Sequence, residues 1–169
     1  MGRRVAIVGG APSASKAPYT DPSWEVWALP WRNQTRGVAR YFDPHSRDVI
    51  DTLNDGRYLA FLRSVTVPVY MAEAYPDIPA SVAYPIGPVI DMIGRNYLAS
   101  SVAYMLALAI AEDVDEIGIW GVTMADQSEY AHQRPNMDWL IGLAEGRGIP
   151  VYLPPGCPLA SCPERYGAI

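Results

Sequence analysis

Val-Ala-Ile-Val-Gly-Gly-Ala-Pro-Ser-Ala-Ser, residues 5–15, is the stretch that decides the predicted fold. Its first four residues form an apolar, mostly β-branched run, which is typical of a strand buried on both faces of a parallel sheet. Gly9 and Gly10 follow at once and allow a sharp turn. A strand ending in such a turn can expose backbone N–H groups to a phosphate, as in open α/β sheets. An ordinary strand-to-helix turn accounts for the same residues, so both interpretations stand at this point.

Two common nucleotide-binding motifs are missing from this stretch. The dinucleotide fingerprint Gly-x-Gly-x-x-Gly is absent, and no Gly-Lys-Ser/Thr follows the turn, which excludes a P-loop. Any phosphate site here therefore depends on backbone groups of Gly9, Gly10 and Ala11, with the Ser13 hydroxyl nearby.

The composition predicts one globular domain. The chain has 169 residues, half of them hydrophobic and 18% charged, which is enough for a single substantial core. The net charge of −5 argues against a general affinity for nucleic acids or anionic membranes. Twelve arginines against one lysine leave room for local recognition of a phosphate or carboxylate.

Targeting and redox signals are weak. The sequence shows neither a signal-peptide pattern nor an 18-residue apolar run, so we expect a cytoplasmic protein without membrane contact. Cys157 and Cys162 lack neighbouring histidines and predict neither a zinc site nor a disulfide framework. The sequence does not determine the oligomeric state, and a homo-oligomer is one of the alternatives.

Strands and helices alternate along the chain. Predicted strands cover residues 5–8, 24–29, 38–42, 67–71, 117–122 and 151–153, with a short edge strand at 82–84. Predicted helices cover residues 47–54, 58–65 and 98–111, and a last helix begins at Pro135. This alternation predicts a single Rossmann-like α/β domain with a mostly parallel sheet of about six strands and helices on both faces. The domain spans residues 1–154, and a proline-rich tail covers 155–169.

Ligands of such sheets lie beyond the carboxyl ends of the strands. Four segments are expected to meet there: residues 9–13, residues 43–46, the helix start at Ser100 and Ser101, and the loop 123–134. Asp43 is the candidate ligand group of the second segment. Turn formation and helix capping explain Asp43 and the two serines equally well.

The loop 123–134 concentrates titratable side chains at the end of a strand. His132 is a candidate general base, because an imidazole titrates near neutral pH, although a surface role explains it as well. Tyr130 and Arg134 flank it and can bind a phosphate. No histidine or acidic cluster has metal-ligand spacing, and Ser13 lacks the Gly-x-Ser-x-Gly elbow of a hydrolase.

Six short motifs follow one another in a recognisable order. They are Ile-Val-Gly-Gly-Ala-Pro-Ser (7–13), Tyr-Phe-Asp-Pro (41–44), Ser-Ser-Val-Ala (100–103), Glu-Ile-Gly-Ile-Trp-Gly-Val (116–122), His-Gln-Arg-Pro-Asn-Met-Asp (132–138) and Pro-Val-Tyr-Leu-Pro (150–154). Together they resemble the bacterial Rossmann-like sialyltransferases and the related motility-accessory and pterin-diphosphokinase-like proteins. The chain also looks similar to small phage-encoded proteins of unassigned activity.

The resemblance implies a metal-independent nucleotide site with no further cofactor. By this resemblance, the nucleotide contacts Gly9, Gly10, Ala11 and Ser13. Its phosphate or ribose lies near Ser100 and Ser101. The resemblance makes His132 the general base and Tyr130 a phosphate ligand. The sequence departs from the family at Ala11, where a second glycine is usual, and at Thr123, where Gly-Ile/Val-Asp is common. It also lacks the lid segment that the sialyltransferases place over donor and acceptor.

Two functions therefore follow from the sequence. One is a small transferase that acts on a nucleotide-activated donor, such as a nucleotide sugar. The other is a non-catalytic nucleotide-binding or interaction module of phage origin.

Overall fold

Seven strands and five α-helices alternate in the computed structural model, which describes residues 2–30, 37–124 and 130–162, without the side chains of residues 54, 130 and 131. The strands are β1 (Arg4–Val8), β2 (Trp24–Ala28), β3 (Val38–Asp43), β4 (Val69–Met71), β5 (Ser81–Ala83), β6 (Glu116–Trp120) and β7 (Val151–Tyr152). The α-helices are α1 (Arg47–Thr52), α2 (Arg57–Ser64), α3 (Ile86–Ile93), α4 (Ser101–Ala111) and α5 (Tyr130–Gly146). Short 3₁₀ helices cover Pro12–Lys16 and Leu53–Gly56.

The strands form one parallel sheet in the order β5-β4-β3-β2-β1-β6-β7. This confirms the predicted single α/β domain, with seven strands rather than about six. The strand order reverses at β1. The chain adds β2 to β5 one after another on one side of β1, and then adds β6 and β7 on the other side of β1. Crevices at such reversals are where open α/β sheets bind ligands.

Strand β1 lies at the centre of the sheet and is buried on both faces. Val5 and Ile7 contribute to one hydrophobic core, and Ala6 and Val8 contribute to the other. The first core also contains buried residues of α3, α4 and α5, and the second contains those of α1 and α2. The alternation follows from the two-residue period of a strand.

Helix α4 packs closely on the sheet. Eight of its eleven residues are buried, so its nearly uniform apolar sequence reflects burial all round. Fully buried Ala103, Ala107 and Ala109 permit the close approach. The helix begins three residues later than predicted, because Ser100 is its N-cap.

Two helix predictions are wrong. The sequence predicted no helix between residues 65 and 98, but α3 covers Ile86–Ile93. Pro88 is its third residue, where the missing N–H would have no partner in the helix. Helix α5 begins at Tyr130 rather than at Pro135, so this proline lies inside the helix. The polar residues before Pro135 have no apolar periodicity and therefore gave no helical signal.

Among the described residues, no helix is both long and apolar enough to cross a membrane. The tail up to residue 162 packs onto the domain, since Leu159 is buried in the first core and the Ala160 N–H donates to Asp138 over 2.8 Å.

Candidate functional site

A cavity of about 700 Å³ opens at the carboxyl edge of the sheet, at the reversal between β1 and β6. Its volume lies within the usual range for small-molecule sites. The cavity, called the main cavity below, receives residues from the ends of β1, β3 and β6, from α2, and from the starts of α4 and α5. The residues that line it are Gly9, Gly10, Ala11, Leu29, Pro30, Phe42, Asp43, Pro44, His45, Tyr58, Leu98, Ala99, Ser100, Ser101, Val102, Tyr104, Gly121, Val122, Thr123, Met124 and Gln133.

The glycine turn after β1 is held against the turn after β6. The Gly9 N–H donates to the Trp120 carbonyl and the Ala11 N–H to the Gly121 carbonyl, each over 2.8 Å. A Cβ added at Gly9 would lie 2.5 Å from the Gly121 oxygen, so the two backbones need glycine to approach this closely. Among the described residues, none accepts a hydrogen bond from the Gly10 N–H. Of the predicted phosphate-binding amides at residues 9–11, this is therefore the one that remains available.

Ser13 contacts the turn that follows β6. Its hydroxyl accepts a hydrogen bond from the Gly121 N–H over 2.8 Å, and Ser13 does not line the main cavity. In the structure, Ser13 therefore joins the two turns.

Ser100 and Ser101 both lie at the cavity, but their surroundings differ. The Ser100 hydroxyl accepts from the Ala103 N–H over 3.2 Å and so caps α4. Ser101 is the first helical residue and lines the cavity. The N–H groups of a first helical turn lack helical partners and favour an anion.

Buried Asn136 fixes the segment that leads into α4. Its side-chain oxygen accepts from the Ala99 N–H over 2.8 Å, and its amide donates to the Tyr97 carbonyl over 2.7 Å. Asn136 is fully buried, so these bonds tie α5 firmly to the rim of the main cavity. The sequence predicted that a helix begins at Pro135, next to Asn136, but it gave no indication of these two hydrogen bonds.

Asp43 ends β3 and is 1% exposed. One carboxylate oxygen lies 2.5 Å from His45 Nδ1 and 3.2 Å from the His45 backbone nitrogen, which donates to it. The other oxygen accepts from the Tyr58 hydroxyl over 2.6 Å. Burial of Tyr58, together with the neighbouring Asp43 charge, raises the pKa of this phenol well above its usual range. The hydroxyl therefore stays protonated and remains a donor.

His45 lies in the predicted segment 43–46, but the sequence gave it no function of its own. It lines the main cavity, and its side chain is 46% exposed. A histidine two residues after a buried strand-end aspartate is a signal that could have pointed to it, because this spacing lets the aspartate bond both the backbone and the ring.

The described side chains at the start of α5 have different surroundings. Gln133 lines the main cavity, whereas His132 is exposed and does not. Arg134 donates to the Pro158 carbonyl over 2.6 Å and to that of Ser161 over 3.1 Å, so it holds the tail. The side chain of Tyr130 and the loop residues 125–129 lie outside the described residues.

Solved structures of the sialyltransferase CstII match the chain along most of its length. CstII from Campylobacter jejuni in complex with the substrate analogue CMP-3FNeuAc has a TM-score of 0.62 at 15% sequence identity, over 92% of this chain and 81% of that one. CST-II in complex with a trisaccharide acceptor and CMP has a TM-score of 0.60 at 15% identity, over 92% and 82%. The chain has a sialyltransferase-like fold. The comparisons with protein-family models and with curated proteins gave no match.

Within this sialyltransferase-like fold, a second cavity of about 390 Å³ lies beside the first. Both cavities are lined by the glycine turn at Gly9, Gly10 and Ala11 and by Leu29. The turn is thus accessible from two compartments, large enough in sum for two ligand moieties. No three His, Cys, Asp or Glu side chains of the described residues are grouped so that they could hold a metal ion.

Proposed function

We propose that the main cavity binds a nucleotide sugar and that the protein transfers the sugar to an acceptor hydroxyl. The observation that supports this is the position of the cavity, at the sheet reversal between the glycine turn and the start of α4. Matching structures of the same fold are complexes with CMP-3FNeuAc and with CMP and a trisaccharide acceptor, which favours the same ligand class here.

In this proposal the phosphate lies between the Gly10 N–H and the first turn of α4. The unpaired N–H groups of that turn and the helix dipole stabilise the anion. Ser101 adds a hydroxyl on the cavity wall, and Asp43 acts on the ligand through His45 rather than directly. Tyr130 is a further proposed phosphate ligand, from the family resemblance.

Transfer also needs a group that accepts the proton of the incoming hydroxyl. The chain contains two histidines, His45 and His132. The family resemblance points to His132, which lies exposed in the first turn of α5. The geometry of the main cavity favours His45, which lines the cavity and contacts buried Asp43.

A binding experiment tests the proposal. Melting temperatures are compared with and without CMP, UMP, the nucleoside diphosphates and a panel of nucleotide sugars. Ligand at about 100 times its Kd adds about 2.7 kcal/mol of stability, which for a domain of this size corresponds to a rise of roughly 5–10 °C.

Two variants locate the site. Gly10→Val should remove the ligand-induced rise while the far-ultraviolet circular dichroism stays that of the parent protein. Gly142→Ala is the matched control, because a Cβ there meets nothing within 4 Å and the residue is exposed on α5. A full rise in folded Gly10→Val would place the ligand elsewhere. Binding without transfer for any donor in the panel would identify the protein as a nucleotide-binding module.

A further inference from the structure

We propose that His45 is the general base of the transfer reaction and that Asp43 and Tyr58 hold it in position. This inference rests on the proposed function, because it assigns the proton-accepting step of that reaction. The observation behind it is a buried carboxylate that contacts a cavity-lining imidazole on one side and a buried phenol on the other.

The ring of His45 is oriented by contacts on one edge. Nδ1 lies 2.5 Å from Asp43, which is almost completely buried beneath it. Nε2 lies on the opposite edge of the ring from this contact, and the His45 side chain is 46% exposed. No described residue hydrogen-bonds Nε2. Because His45 lines the main cavity, we infer that Nε2 is the ring nitrogen that meets the acceptor.

The partners of Asp43 determine the tautomer of His45. The carboxylate accepts from the His45 backbone N–H and from the Tyr58 hydroxyl, so both of its oxygens act as acceptors. Because the Asp43 oxygen that faces Nδ1 is an acceptor, Nδ1 must be the donor of this contact, and it therefore bears the ring proton of neutral His45. Neutral His45 therefore has its lone pair on Nε2, the nitrogen that does not contact Asp43.

Residues of three elements, β3, β4 and α2, hold this arrangement in place. Asp43 is the last residue of β3 and pairs with Met71 of β4 in the sheet. Pro44 restricts the backbone between Asp43 and His45. Tyr58 comes from α2 and is 4% exposed, so the group that fixes the second oxygen of Asp43 is itself fixed by packing. A base held this way keeps its geometry before the substrate binds.

The proton and electron changes balance within this site. Nε2 of His45 takes the proton from the acceptor hydroxyl, and the hydroxyl oxygen forms a bond to the anomeric carbon of the donor sugar. The bond between that carbon and the phosphate oxygen breaks, and the nucleotide leaves with the electron pair. The imidazolium that forms lies against the Asp43 carboxylate, which stabilises the new positive charge.

Kinetics of the intact protein test the assignment. The probe is CMP-linked N-acetylneuraminic acid, with CMP release followed in the presence of an oligosaccharide acceptor and of water alone. His45→Asn should lower kcat by about 10²–10⁴-fold, while the Kd for CMP changes less than about twofold. Asp43→Asn should lower kcat with little change in KM, because the ring is present but no longer held in the same tautomer. Asp48→Asn, an exposed carboxylate on α1, is the matched control and should retain the parent kcat.

A second measurement does not depend on turnover. Diethylpyrocarbonate should acylate His45 at its exposed nitrogen, and saturating CMP-linked N-acetylneuraminic acid should slow this labelling at least fivefold. Nitrogen NMR of the imidazoles should show the Nδ1–H form for His45 in the parent protein and lose that preference in Asp43→Asn.

The outcomes separate this inference from the proposed function. If no nucleotide or nucleotide sugar binds, both are overturned. If the nucleotide sugar raises the melting temperature but leaves the labelling of His45 unchanged, only the assignment of His45 is wrong. It is also wrong if His132→Asn abolishes CMP release while His45→Asn retains it.

Discussion

Helix α4 connects two regions that use their polar side chains in different ways. Its N-terminus, with Ser101, opens into the main cavity. Its C-terminus leads into Glu112, one of four charged residues that form an ion-pair cluster. The ion-pair cluster consists of Arg3, Glu25, Arg40 and Glu112.

In the ion-pair cluster each guanidinium contacts both carboxylates. Arg3 lies 2.9 Å from Glu25 and 2.6 Å from Glu112, and Arg40 lies 2.8 Å from each of them. Arg40 also lies over the Trp27 ring, 4.7 Å from its centroid. The four charges neutralise one another, so we expect this cluster to act mainly on stability.

The main cavity differs because two of the groups that line it, the His45 ring and the Gly10 N–H, can still form a hydrogen bond to a ligand. His45 lines the cavity and bonds Asp43 through Nδ1, which leaves Nε2 without a bond to the described residues, and among those residues none accepts from the Gly10 N–H. The comparison shows that the number of charged groups does not mark a functional site. What marks it is whether oriented polar atoms are left facing a cavity.

The largest expected effect concerns the turn that shapes the main cavity. Gly121 has a φ of 68°, and a Cβ added there would lie 2.7 Å from the Gly9 oxygen. Gly121→Ala should therefore lower the free energy of unfolding by about 3 kcal/mol, from left-handed strain and overpacking together. Urea unfolding measures the change, with Gly142→Ala as the control that should not destabilise. A loss under about 0.5 kcal/mol would show that the two turns can separate at little cost.

A smaller effect is expected in the ion-pair cluster. Burial raises the pKa of Glu25, but hydrogen bonds from Arg3 and Trp27 and the charge of Arg40 outweigh it and leave the pKa below its usual value. Glu25→Gln should lower the free energy of unfolding by about 2 kcal/mol at pH 7, because it removes charge-assisted hydrogen bonds. Nucleotide affinity should not change.

The same variant gives a pH dependence with a defined sign. A carboxyl group whose pKa is depressed in the folded state adds stability above its unfolded pKa, about 4.3. That contribution is lost as the pH falls through the folded pKa. The stability difference between the parent and Glu25→Gln should therefore be full at pH 7 and shrink below about pH 4. A difference that stays constant down to pH 2 would contradict the ionic origin.

The sequence predicted the centre of the fold because its signals there are local. The run at residues 5–8 and the uniformly apolar helix at residues 101–111 bury all their faces, so pattern alone identifies them. Strand topology then predicted that Gly9, Asp43 and Ser101 would meet, and the structure brings them to one cavity.

The features that the sequence did not predict depend largely on contacts between residues that are far apart in the sequence. The link from Asp43 to Tyr58 spans fifteen positions and two elements, and that from Asn136 to Ala99 spans thirty-seven. Neither leaves a periodic signal. The three-residue β5 is too short for its pattern to fix its bounds, and the early start of α5 depends on packing that offsets the cost of an internal proline.

The smallest expected effect separates two neighbouring serines that the sequence could not distinguish. Ser100 caps α4 through its hydroxyl, whereas Ser101 follows it and lines the main cavity. Ser100→Ala should lower the free energy of unfolding by about 1 kcal/mol through loss of the cap and leave the Kd for CMP unchanged.

Ser101→Ala should do the reverse. Alanine is the better helix former, so stability should stay within about 0.5 kcal/mol of the parent. Loss of a hydroxyl that meets a phosphate oxygen should weaken CMP binding by about 1 kcal/mol, or roughly fivefold in Kd. Urea unfolding without ligand and calorimetric titration with CMP measure the two quantities in the same pair of variants. If both variants lose only stability, the start of α4 has a purely structural function, as we expect of the ion-pair cluster at its other end. The phosphate must then lie elsewhere.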